Sequence, residues 1–142
     1  MGERILVPFD GSPLSRRALE RAVTKHPDDQ ITVLYVIDPM LAVYDAEAKG
    51  LPAASTWHDR MTERADEICA DATKQAGDHD CEITTATEIG RPARTILEYA
   101  DEHEIDHVIM GSHGREGVSR LILGSVAERV MRQAPIPVTV VR

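Results

Sequence analysis

Cysteine is scarce in this chain of 142 residues: Cys69 and Cys81 are the only two, and neither stands in a C-x-x-C or mixed Cys/His ligand spacing. Neither a thiol redox motif nor a zinc cluster is therefore written into the sequence. Lysine is scarce as well, since only Lys25, Lys49 and Lys74 stand among 16 basic residues, against 24 acidic ones and a net charge of −8. No basic cluster rises above pairs such as Arg16-Arg17, so the chain repels nucleic-acid phosphates, and neither DNA nor RNA is an expected partner. Long hydrophobic runs are missing too. Met1-Gly2-Glu3-Arg4 leads straight into a short apolar segment with no signal-like leader, and position 6 is Leu6 where N-myristoylation asks for Ser or Thr. The expectation is a cytoplasmic chain without a membrane span.

What is present is alternation. Residues 4–9 (R-I-L-V-P-F) and 31–37 (I-T-V-L-Y-V-I) are nearly continuous apolar runs, as expected of strands buried on both faces of a parallel sheet. Between them Ser12 offers an N-cap and Pro13 a first helical position, and Leu14, Ala18, Leu19, Ala22 and Val23 form one stripe that ends at His26-Pro27. Residues 38–55 hold Pro39, Gly50 and Pro52 without a sustained period, and read as a long loop with a short helical turn over 41–48. Thr56 and Asp59 then form a capping-box pattern, opening a helix whose stripe runs from Trp57 through Met61, Ala65, Ile68, Cys69 and Ala72 to Ala76.

Residues 82–88 alternate weakly and read as a polar edge strand, followed by a helix after Gly90-Arg91-Pro92 and a buried strand over 107–110. A last helix carries Val126, Ala127, Val130, Met131 and Ala134, and the chain closes on the apolar segment 138–141. The order βαβαβαβαβ, without internal repeats, predicts one α/β domain over residues 1–142: a doubly wound, Rossmann-like parallel sheet with right-handed crossovers and helices on both faces. A chain of this length buries roughly two thirds of its unfolded surface and needs no staples.

The chemistry concentrates in two strand-end segments. Val108-Ile109-Met110 runs into Gly111-Ser112-His113-Gly114, and nine residues later Gly124-Ser125 opens the last helix. Glycines let backbone amides approach a ligand, and a helix N-terminus attracts an anion, so this spacing reads as a phosphate cradle. Ser125 with Glu128 also forms a capping box that requires no ligand, while Arg115 and Arg120 could offset the charge of Glu128. The other segment is Pro8-Phe9-Asp10-Gly11-Ser12, with a carboxylate at a strand tip. In open parallel sheets ligands bind beyond the carboxyl ends, where strand order reverses. If the two strands are neighbours there, Asp10 faces the glycine loop and suits two ribose hydroxyls or a phosphate-bound Mg²⁺.

Several nucleotide and catalytic classes are excluded by missing residues. The loop has no G-K-[ST], and no G-x-G-x-x-G follows the first strand. No nucleophile stands in a G-x-S-x-G context, His113 reads as a phosphate neighbour or a solvated side chain, and the other five histidines lack metal spacing. A phospho-receiver reading fails because the third strand ends in Glu88-Ile89-Gly90 rather than an aspartate.

Asp10, Val36 and Gly111-x-x-Gly114-x9-Gly124-Ser125 together resemble the universal stress protein family in its ATP-binding branch, from I-L-V-P-F-D-G-S through to the terminal P-V-T-V-V. The resemblance implies a five-stranded parallel sheet of order 3-2-1-4-5, a homodimer made by antiparallel pairing of the last strands, and ATP at the strand tips. It further implies Asp10 and Gly111 at the ribose, the Val36 backbone at the adenine, and Gly114, Arg115, Gly124, Ser125 and Val126 at the phosphates, with Pro8 and Met110 lining the site. An apolar, uncharged edge strand over 138–141 points to a covering partner on its own account. The function expected is a nucleotide-dependent stress-response or signalling module. Two alternatives stay open: a slow ATPase or phosphotransferase using Asp10 with Mg²⁺, and a sensor of another nucleotide or metabolite.

Overall fold

The two apolar runs near the N-terminus become neighbouring central strands in the computed structural model, which describes residues 2–40, 54–113 and 123–142. β1 (Arg4–Pro8) leads into α1 (Pro13–Lys25), and β2 (Gln30–Ile37) precedes α2 (Ala54–Gly77). They are followed by β3 (Thr84–Ile89), α3 (Pro92–Glu102), β4 (His107–Gly111), α4 (Ser125–Gln133) and β5 (Val138–Val141). All pairings are parallel and the order is β3-β2-β1-β4-β5, as the sequence led us to expect. Strand order reverses between β1 and β4, which share the centre of the sheet.

Helices cover both faces, and side-chain alternation explains why. Ile5, Val7, Ile31, Val33, Tyr35 and Ile109 point to one side, where they pack with Ala18, Leu19, Ala22 and Val23 of α1 and Ala65, Ile68, Ala72 and Ala76 of α2. Leu6, Leu34, Val108 and Met110 point to the other, where they meet Ala93, Ile96, Tyr99 and Ala100 of α3 and Ala127 and Val130 of α4. Ile5, Leu6 and Val7 are fully enclosed, which accounts for their unbroken apolarity. β3 closes one edge and is exposed along most of its length, as its polar sequence requires.

Local chemistry sets most boundaries. Ser12 caps α1, its side chain accepting from the Ser15 amide, and Pro13 follows where its missing N–H costs nothing. α2 departs from expectation. Its first turn already includes Ala54, so Thr56 lies inside the helix rather than at its cap; the preceding residue pair Ala54-Ser55 extends the helix, alanine being the strongest helix former. The helical turn expected over 41–48 lies outside the described residues.

Candidate functional site

The site is built by parallel register. β1 and β4 are paired with Ile5 opposite His107 and Leu6 opposite Val108, and that offset carried forward sets Pro8 opposite Met110 and Asp10 level with Ser112. β1 and β2 are paired with Pro8 opposite Leu34, which sets Asp10 level with Val36; Val36 in turn lies opposite Glu88. The carboxyl rim thus carries Glu88, Val36, Asp10 and Ser112 in one row, with Pro8 and Met110 one step below. Val36 packs among the residues that face α3 and α4, the face that also presents the amino end of α4.

α4 is pinned to the tip of β4. The Gly124 amide donates to the Ser112 carbonyl at 2.7 Å, and the Ser112 amide donates to the Val141 carbonyl at 2.8 Å. Gly124 is the N-cap, in extended conformation and without a side-chain acceptor. Ser125 is consequently the first helical residue, which overturns the capping box expected of Ser125 and Glu128: the cap falls on the residue that can approach β4 most closely. The first intrahelical bond joins the Glu128 amide to the Gly124 carbonyl at 2.9 Å. Helix geometry leaves the amides of Ser125, Val126 and Ala127 without intrahelical acceptors, at the positive end of the dipole. Ser125 is exposed there. Glu128 turns to Arg132 one turn along, at 3.1 Å, so its charge is partly neutralised near the helix start.

The glycines work differently from the cradle that the spacing suggested. A Cβ on Gly124 would lie 2.8 Å from the His113 Cβ and 2.9 Å from the Ser112 carbonyl oxygen, and one on Gly111 would lie 2.9 Å from the Leu14 Cβ and 3.0 Å from the Leu14 carbonyl carbon. Both positions need glycine because the protein packs against itself there. These two glycines fix where α1 and α4 meet β4, and through that they place the α4 amides. Gly114, Arg115 and Arg120 lie outside the described residues.

At the tip of β1 the chain makes a compact turn. Asp10 accepts the Ser12 amide through Oδ1 at 2.9 Å, and its own amide donates to the Ser15 hydroxyl at 3.4 Å. Ser15 donates to the Ser12 carbonyl at 2.9 Å, and both serines are buried. Gly11 adopts φ +81°, the left-handed region in which a side chain is strained. The Asp10 carboxylate is therefore oriented through one oxygen, and among the described residues no hydrogen bond is made to the other.

Serine residues that sequence reasoning passed over hold this arrangement. Ser112 is 3% exposed, its hydroxyl 3.1 Å from His113 Nδ1, and its backbone joins β5 to α4. Its only signal was its place inside the glycine motif. Glu88 is exposed at the tip of β3. Burial raises the Tyr99 hydroxyl pKa, and the Glu88 charge raises it further. That influence agrees with Glu88 sharing the α3 side of the sheet. Far away, at the amino rim, Glu3, His26 and Asp29 bring possible ligand atoms within 4.8 Å of one another; a 2.9 Å pair between His26 Nδ1 and Asp29 Oδ2 accounts for their approach. Sequence spacing could not show it, because Glu3 lies on a different segment from the His26–Asp29 turn.

The model of the universal stress protein family matches residues 1–142. The chain belongs to the universal stress protein family. Among relatives, universal stress protein MJ0531 of Methanocaldococcus jannaschii is 34% identical over 99% of this chain and 82% of its own length. The solved structure of MJ0577, a universal stress protein of the same organism, superposes with a TM-score of 0.81 at 27% identity, covering 99% of this chain and 96% of that one. An Archaeoglobus fulgidus universal stress protein solved in complex with dAMP shares the fold, with a TM-score of 0.68 at 20% identity over 100% of this chain and 98% of that one. No helix among the described residues is long and apolar enough to cross a membrane.

Proposed function

We propose that this family member binds ATP across its carboxyl rim, alone or with Mg²⁺, and acts as a cytoplasmic, nucleotide-dependent stress-response or signalling module. The observation that carries the reading is the convergence at the β1/β4 reversal: the amide end of α4, which has no side-chain cap, stands on the same rim as the Asp10 carboxylate, which uses one oxygen among the described residues. Phosphates suit the Ser125 and Val126 amides and the Ser125 hydroxyl, joined by Gly114 and Arg115 of the intervening loop. Asp10 accepts from ribose hydroxyls beside Gly111, or from water on a phosphate-bound Mg²⁺. Pro8 and Met110 form the floor, and the Val36 backbone meets the base. That a protein of this fold holds dAMP is in keeping with an adenine nucleotide here. Titration calorimetry with Mg-ATP tests the reading, which fails if no heat of binding is detected or if Gly114→Ala binds as wild type does.

The dimer belongs to the same proposal. Val138, Thr139, Val140 and Val141 form an edge strand. The Val108 amide donates to the Pro137 carbonyl and the Ser112 amide to the Val141 carbonyl, so odd-numbered residues face β4, and Val138 and Val140 turn their N–H and C=O groups outward. A second copy pairing antiparallel along this strand satisfies those groups and covers an apolar edge. In such a dimer, nucleotide occupancy alters loop order and so what the pair contacts.

A further inference from the structure

The polarity of the site determines where a nucleobase must lie. With phosphates at the α4 amino end and a ribose at Asp10, the base extends away from α4, over the tips of β2 and β3. Neighbouring parallel strands lie about 4.8 Å apart, so β3 stands roughly 14 Å across the sheet from β4. On that side Glu88 lies directly opposite Val36 in the β2/β3 register and is exposed at the rim. No lysine or arginine is paired with it among the described salt bridges. An ionised carboxylate only accepts hydrogen bonds, and it faces a base edge whose chemistry varies between donors and acceptors.

We propose that Glu88 is a specificity-determining residue, its carboxylate accepting from the exocyclic amino group of a purine and so selecting a 6-aminopurine over a purine that lacks the amine. This rests on the nucleotide reading above. The amino group gains a charge-assisted hydrogen bond that the analogue without it cannot make, which at an exposed edge gives a modest preference. Glu88 lies at an exposed edge, so its replacement does not touch the core.

The test compares binding of ATP and of purine riboside 5′-triphosphate, which lacks the 6-amino group, by calorimetry on wild type, Glu88→Ala and Glu88→Gln. A charge-assisted hydrogen bond leads us to expect about tenfold tighter binding of ATP by the wild type. Glu88→Ala should lose that preference while keeping its affinity for purine riboside triphosphate, and Glu88→Gln, which retains a carbonyl acceptor, should keep part of it. Equal wild-type affinities for the two nucleotides, or an unchanged preference in Glu88→Ala, overturns the role of Glu88 and leaves the nucleotide site standing. Binding of neither nucleotide by the wild type overturns the site itself, and Glu88 with it.

Discussion

The two ends of the sheet are built to opposite rules. At the amino rim, polar groups answer one another: the Glu3 amide donates to Asp29, the Arg4 amide to Asp106 at 2.8 Å, and the Gln30 amide to the Glu3 carbonyl. There His26 pairs with Asp29 and His107 Nε2 sits 2.7 Å from the Thr139 hydroxyl. At the carboxyl rim the backbone is anchored as firmly, through Gly124, Ser112 and Val141, yet among the described residues one Asp10 oxygen, the first α4 amides and the Glu88 carboxylate have no partner. A sheet end that satisfies itself is structural. One that holds donors and acceptors in place without using them up has little ordering left to do if a ligand binds, which is what the proposed nucleotide site requires.

The sharpest way to break this contrast is to crowd the carboxyl rim. Gly124→Ala pushes a methyl group into Ser112 and His113 and should lower stability by about 1–3 kcal/mol, in the range of overpacking. Chemical denaturation checks it, and ATP binding should fall with it as α4 leaves the tip of β4. Gly111→Ala, which meets the backbone of Leu14, should cost a similar amount. If either variant were as stable as wild type, the claim that these glycines serve packing would be wrong.

Asp10→Ala comes next. Loss of the turn bond to the Ser12 amide should cost about 0.5–1.5 kcal/mol, typical of one hydrogen bond. ATP affinity should drop much further than that modest loss implies, and Asp10→Asn, which keeps an acceptor for the turn, separates the two roles. Affinity maintained in both variants would leave the carboxyl rim no more functional than the amino rim. Val140→Pro removes an outward edge donor while sparing the β4 ladder, and should yield monomers in sedimentation with ATP binding intact.

Acid should expose the amino rim. Burial, and after it the neighbouring His26, holds the His107 imidazole below the usual 6.5, with Glu3 opposing and Arg21 reinforcing the shift. The unfolded chain therefore takes up that proton first. The stability tied to a neutral His107 is complete above about pH 6.5 and falls as pH drops through the folded value, and His107→Gln should flatten this slope in melts recorded from pH 7.5 to 5. Asp29 acts later: the Glu3 amide, and then His26, lower its pKa below 3.8, so its contribution is lost only under stronger acid. The smallest effect belongs to Glu128→Ala. Breaking its exposed pair with Arg132 should change stability by about 0.5 kcal/mol or less.

Much of the fold was legible. The unbroken apolarity of Ile5, Leu6 and Val7 marked a two-faced central strand, Ser12-Pro13 marked the start of α1, and the polar run before Gly90 marked an edge. The misreadings share a cause. Thr56 with Asp59 and Ser125 with Glu128 both match a capping pattern, but a cap position depends on where the helix is docked. α4 is docked through Gly124 on Ser112, and α2 begins earlier, at Ala54. For the candidate site, the residue types and their spacing pointed to the tips of β1 and β4, which the fold sets side by side, while the task of Gly111 and Gly124 was invisible, since Leu14, His113 and Ser112 crowd them only in three dimensions.

By itself the sequence determined what is local: periodicity chose strand or helix, serines and prolines set helix starts, and the alternation of elements implied a parallel sheet. The tertiary structure decided what depends on register. Asp10, Val36, Glu88 and Ser112 are scattered over more than a hundred positions, and they share one rim because parallel pairing converts fixed offsets between strands into neighbourhood in space. No local preference encodes such an offset; it follows from burying both faces of every central strand at once.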